Sequence, residues 1–169
     1  MTKPDRPRIF LSYSRRDDEP FVWKLYKDLT SAGFEVWFDR VSMPSRRLTF
    51  YQEIRDAIAE RDRLVLVVGP AAMTSDYVTQ EWQFAYYAAA KCVNAVVRLD
   101  GKNQDGDRID AYELLPEDLG QSHAEDFRSD ENYDKALKNL IRQLSEELPS
   151  PGKLIGVPEL PTIYRAQPE

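Results

Sequence analysis

The sequence predicts an α/β fold, a flavodoxin-like three-layer sandwich with a five-stranded parallel sheet. Three observations point there. Short runs rich in β-branched and aromatic residues alternate with longer segments of helical period. Two of those runs, RLVLVVG (63–69) and NAVVRL (94–99), are apolar almost throughout, as parallel strands covered on both faces must be. Strands and helices alternating at these lengths imply right-handed crossovers and a parallel sheet.

Each element has its own signal. RIFLSY (8–13) starts after Pro7 and ends in a charged turn. The first helix, EPFVWKLYKDLTSAG, has Pro20 in its first turn and Gly33 past its end, with Phe21, Trp23, Leu25 and Leu29 in the apolar stripe. Asp17, Asp18 and Glu19 gather at its start, where the helix dipole favours negative charge. FEVWF (34–38) is the second strand, and TFYQEIRDAIAE carries the second helix. RLVLVVG is the third strand. SDYVTQEWQFAYYAAAK is the third helix, capped by Thr74 or Ser75. NAVVRL is the fourth strand, a short run near SHAEDF (122–127) is the fifth and weakest, and NYDKALKNLIRQLSEEL is the last helix.

Composition bounds the function. A chain of 169 residues is one domain's worth, and a formal charge of −6 with no basic stripe argues against nucleic acid as a partner. No apolar leader and no membrane-spanning run are visible, so a soluble, cytoplasmic protein without a membrane partner is expected. Cys92 is the only cysteine and reads as a small buried hydrophobe. His123 is the only histidine, which leaves neither a metal site nor a Ser–His–Asp triad to expect. Neither GxxxxGK[ST] nor GxGxxG occurs, and no aspartate ends the third strand as a phosphoacceptor would.

In an open parallel sheet, ligands bind beyond the carboxyl ends of the strands. Tyr13-Ser14-Arg15-Arg16 follows the first strand, and Asp39 with Arg46 and Arg47 follows the second. The third strand leads into the helix bearing Tyr77 and Glu81, spaced i,i+4. Two basic loops, an aromatic and a carboxylate on one edge fit a nucleotide. Each also has a plain reading: solvated loop charges for the arginines, a turn cap for Asp39, a half-buried helix residue for Tyr77, a surface charge for Glu81.

The order and spacing of RIFLSYSRRDD, GFEVWFDRVSMP, RLVLVVGPAAMTSDYVTQEW and LLPEDL resemble a Toll/interleukin-1 receptor (TIR) domain of the bacterial NAD+-cleaving type. The resemblance implies a domain over residues 8–148, behind a flexible N-terminus at 1–7. It implies NAD+ glycohydrolase activity, with NAD+ as substrate and no cofactor, and homotypic association with other TIR domains. It places Glu81 on the required glutamate, Tyr77 on the aromatic one turn earlier, and Tyr13 and Arg15 at the nucleotide pocket. The alternative it carries is a non-enzymatic adaptor signalling through TIR–TIR contacts. One departure bears on assembly: Ser45-Arg46-Arg47 stands where the family's loop often has glycine. The proline-rich stretch 149–169, holding five of eleven prolines, reads as a linker. KLIGVPELPTIYRAQPE resembles the segment before an NB-ARC module, which implies a larger signalling ATPase with that module downstream.

Overall fold

Strand β1 (Arg8–Ser12) lies inside a five-stranded sheet, with β2 (Glu35–Phe38) on one side and β3 (Arg63–Val68) on the other. The computed structural model describes residues 6–38, 47–120 and 123–146. Beyond β3 come β4 (Cys92–Val97) and, past the small antiparallel hairpin β5–β6 (Gly101–Lys102, Arg108–Ile109), the edge strand β7 (Ala124–Asp126). The order β2-β1-β3-β4-β7 is parallel throughout. This is the flavodoxin-like order, and the expected strands all form, each within one or two residues of its expected bounds.

Alternation along the strands sorts side chains to two faces. Ile9, Leu11, Val65, Val67 and Val96 pack under helices α1 (Glu19–Ser31) and α6 (Tyr133–Ser145), which contribute Leu25, Leu29, Leu140 and Leu144. Phe10, Leu64, Leu66, Val68 and Val97 face the opposite layer, formed by α2 (Arg47–Glu60), α3 (Pro70–Thr74), α4 (Asp76–Gln83) and α5 (Ala111–Leu114). All six residues of β3 are buried, the two-sided covering that its apolar run predicts. Each such Val or Leu contributes roughly 1.5–3 kcal/mol on leaving water.

The acidic trio divides its work. Asp18 caps α1, its Oδ1 accepting from the Phe21 N–H at 3.2 Å, and Glu19 is the helix's first residue. Asp17 instead crosses to α3, its carboxylate accepting from the Ala71 and Ala72 N–H groups at 2.9 Å each. The sheet order explains this, because the end of β1 lies beside the end of β3. Gly69 lets the carboxylate approach: a Cβ there would lie 2.5 Å from Asp17 Oδ2.

The third predicted helix is broken into parts. Thr74 closes α3 by donating its hydroxyl to the Pro70 carbonyl at 3.0 Å, and Ser75 caps α4 by accepting from the Val78 N–H. From Phe84 to Ala88 the helix widens into a π turn, with the Ala89 N–H bonding back to the Phe84 carbonyl at 2.9 Å. Ala90 then takes a left-handed conformation, φ 55°, which ends the helix where a glycine would be easier.

Arg63, first residue of β3, is 1% exposed. Its guanidinium donates to the Glu146 carbonyl at 2.7 Å, to Asn94 Oδ1 at 3.1 Å and to Cys92 Sγ at 3.3 Å. The charge is thus met by the carboxyl end of α6, where carbonyl dipoles favour a cation. Cys92 is half-buried in this cluster, and burial pushes its thiol above the ordinary cysteine range against the opposing field of Arg63.

Candidate active site at the carboxyl edge of the sheet

The connections leaving β1 and β3 run in opposite directions across this sheet: β1 leads to β2 on one side, and β3 leads to β4 on the other. A crevice at such a switch point is where open α/β sheets bind ligands. Glu81 is delivered there. It sits on α4, which follows β3, and it reaches back to the last residue of β1: Ser12 Oγ donates to Glu81 Oε1 at 2.6 Å. Glu81 is 7% exposed and Ser12 1%. A bond of that length with a carboxylate is charge-assisted.

The plain reading of Glu81 as a solvated helix charge is therefore wrong. Glu81 is the sixth residue of Asp76–Gln83, beyond the first turn over which a helix dipole acts, and its hydrogen-bond partner on β1 is Ser12. Its signal in the sequence was a serine in the otherwise apolar run IFLS, two residues after Phe10 and so on the same inward face.

The other expected residues are placed unequally. Tyr77 stands one turn before Glu81 in α4, but it is 40% exposed while Glu81 is buried. Tyr13 is buried in the cluster under α1 and α6, on the sheet face opposite Phe10. Arg15 is exposed in the loop between β1 and α1, as is Arg16, and neither side chain enters an ion pair among the described residues. Asp39 and Arg46 lie outside the described residues. Arg47 opens α2, and its side chain is likewise outside them. Trp82 is buried, whereas Tyr86 on the π turn is exposed.

The far half of the same edge is closed by ion pairs. Arg98, just past β4, donates Nε and Nη2 to Asp18 Oδ2 at 3.0 and 2.9 Å. Its Nη1 meets the Phe127 carbonyl at 2.7 Å and Asp130 at 2.9 Å, with the guanidinium over the Phe21 ring. Arg128, just past β7, pairs with Asp126 and Asp100 at 2.8 Å each and stacks on Tyr112. Asp100 also accepts from Arg108 Nε at 2.7 Å and from the Ala111 N–H at 2.8 Å. Hydrogen bonds from Arg108 and then Arg128 hold the Asp100 carboxyl far below the usual range, and Arg128 lowers Asp126 in the same way. These cations are occupied. Among the described residues this leaves a buried carboxylate held by Ser12, and two exposed arginines in the loop that follows Ser12.

A family model described as "TIR domain" matches residues 9–141, most of the chain. Among solved structures, the chain is similar to the TIR domain of the Toll-related receptor TRR-2 from Hydra magnipapillata. The TM-score is 0.61 at 18% identity, covering 82% of this chain and 98% of that one. It is also similar to a prokaryotic SEFIR domain, with TM-score 0.59 and 19% identity, covering 83% and 94%. At these identities the likeness is one of fold. No curated protein matches the chain in sequence.

Proposed function

The chain belongs to the TIR domain family, and we propose that it is an NAD+ glycohydrolase, cleaving the nicotinamide–ribose bond. The observation that carries the reading is Glu81: a carboxylate 7% exposed, held by a hydroxyl on the neighbouring strand at the sheet's switch point. A solvated helix glutamate has no use for that burial, and a purely adhesive domain has no use for a buried charge there.

One carboxylate suffices for this bond. Hydrolysis of an O-glycoside needs a second group to protonate the leaving oxygen. Nicotinamide is already cationic at the scissile nitrogen. The C1′–N bond breaks with its electron pair leaving on nitrogen, so nicotinamide departs neutral and the ribosyl carbon becomes oxocarbenium-like. Water adds to that carbon and releases a proton, giving ADP-ribose; attack by the adenine ring instead gives a cyclic isomer. A carboxylate about 4 Å from the developing cation is worth about 4 kcal/mol at an effective dielectric near 20. That is roughly a thousandfold in rate. Arg15, exposed and outside any ion pair among the described residues, would hold the diphosphate and add the advantage of position.

On this reading the domain is an effector, activated when self-association with other TIR domains brings sites together, in bacterial immunity or cell-death signalling. The stretch 149–169 would connect it to an NB-ARC-type module that gathers the chains. The test is nicotinamide release from NAD+ at high protein concentration and under enforced clustering, with Glu81→Gln alongside. The parent should release nicotinamide and the variant should not, while both self-associate equally by light scattering. Equal release by both would remove Glu81 from the chemistry. Silence from both, clustered as well, would leave the non-enzymatic adaptor as the function.

A further inference from the structure

We propose that Ser12 is the positioning residue for Glu81, fixing the carboxylate's orientation from the sheet; the inference rests on the glycohydrolase reading above. Ser12 is the last residue of β1 and is 1% exposed, on the face shared with Phe10. That face is otherwise built of apolar side chains: Phe10 on the same strand shares one buried cluster with Leu64, Leu66, Val68 and Trp82. An alanine would suit such a layer and would bury no polar atom. The hydroxyl's partner among the described residues is Glu81 Oε1, at 2.6 Å and 69 positions away in the chain.

The need for it follows from the side chain it holds. A glutamate carries three torsions between its backbone and its carboxylate, and its terminal torsion is broad. Burial limits where that carboxylate goes but does not choose which way it turns. A donor on a central strand does choose. Ser12 pairs in register with Leu66 of β3, so its own position is fixed by the ladder on the side from which α4 descends. A site supported by a strand in this way is held more closely than one supported by loops. Ser12 touches no reacting atom; it acts through Glu81.

The experiment compares steady-state NAD+ cleavage by the parent, Ser12→Ala, Ser12→Thr and Glu81→Gln, each checked for an unchanged melting temperature. Loss of the donor should lower kcat by about 10- to 100-fold, with KM within about twofold, because the ribosyl cation and not bound NAD+ feels the misplacement. Ser12→Thr keeps the hydroxyl on a strand that tolerates a β-branched residue and should restore most of kcat. If Ser12→Ala folds and matches the parent while Glu81→Gln is dead, the positioning role is wrong and the glycohydrolase reading stands. If Ser12→Thr is as slow as Ser12→Ala at equal stability, the hydroxyl is not what matters, and the proposal fails. A parent inactive even under enforced clustering, or an active Glu81→Gln, overturns both.

Discussion

Gly69→Ala tests the contact between Asp17 and the start of α3 most directly. At Gly69 the backbone is extended, φ −162°, so alanine meets no conformational objection there. Its Cβ, however, would lie 2.5 Å from Asp17 Oδ2, 2.6 Å from Cγ and 3.0 Å from Oδ1. An ordinary carbon contact of about 3.5 Å requires the carboxylate to retreat by roughly 1 Å. Both bonds to the α3 N–H groups, each 2.9 Å, would then pass out of hydrogen-bonding range. Losing a carboxylate cap with two N–H partners costs about 2 kcal/mol. Restricting the unfolded chain by replacing glycine returns about 0.4–1 kcal/mol. The net is about 1–1.5 kcal/mol, or ~2–6 °C in melting temperature for a domain of this size. The cycle with Asp17→Ala decides the matter. In that background the clash is gone and only the favourable unfolded-state effect remains, so Gly69→Ala should become neutral or stabilising by ~1–4 °C. Thermal and urea unfolding of the four proteins measure this. An equal loss in both backgrounds would refute the argument that Asp17 is what requires a glycine.

Two other outcomes follow from the edge. Asp100, held low by Arg108 and then Arg128, releases its proton more readily folded than unfolded, where its value is about 3.9. It therefore contributes stability above about pH 4 that is lost as pH falls through the lower folded value. Asp100→Asn should lower the melting temperature at pH 7, and the gap to the parent should shrink towards pH 2–3; a gap independent of pH would refute it. Replacing Arg15 and Arg16 together by alanine should raise KM for NAD+ by about tenfold or more with little change in melting temperature, since both are exposed and outside any ion pair among the described residues. An unchanged KM would put the diphosphate elsewhere.

Strands and helices were legible because burial on two faces demands long apolar runs, and their alternation implies a parallel sheet. What escaped the reading depends on partners distant in sequence. Arg63 opens an otherwise apolar run, and nothing local says that the end of α6 and Asn94 receive it. Asp17 reads as a charge belonging to the helix that follows it, yet it serves α3, more than fifty residues on. The hairpin β5–β6 has two residues per strand, too few for any period to appear. The candidate carboxylate was singled out by the resemblance to TIR domains, while the buried serine that donates to it was not. A buried serine gives no pattern until its strand's inward face is known.

The segment from Ser12 to Asp18 is then more than a connection between β1 and α1. Ser12 is tied to α4 through Glu81, Asp17 to the start of α3, and Asp18 to both the Phe21 N–H and Arg98. Between these anchors the chain turns on itself, the Asp17 N–H bonding the Ser14 carbonyl at 3.2 Å and the Arg16 N–H bonding Ser14 Oγ at 3.2 Å. Arg15 and Arg16 are thereby presented by a loop of a few residues fastened at both ends. The cost of ordering that backbone is met when the domain folds, so a bound diphosphate has only two side chains to immobilise, at about 0.5–1.5 kcal/mol each. Arg98 and Arg128 are already engaged by carboxylates and would have to surrender ion pairs to bind an anion. A dinucleotide with its ribosyl carbon at Glu81 would therefore lay its diphosphate along the β1–α1 loop, away from β4 and β7.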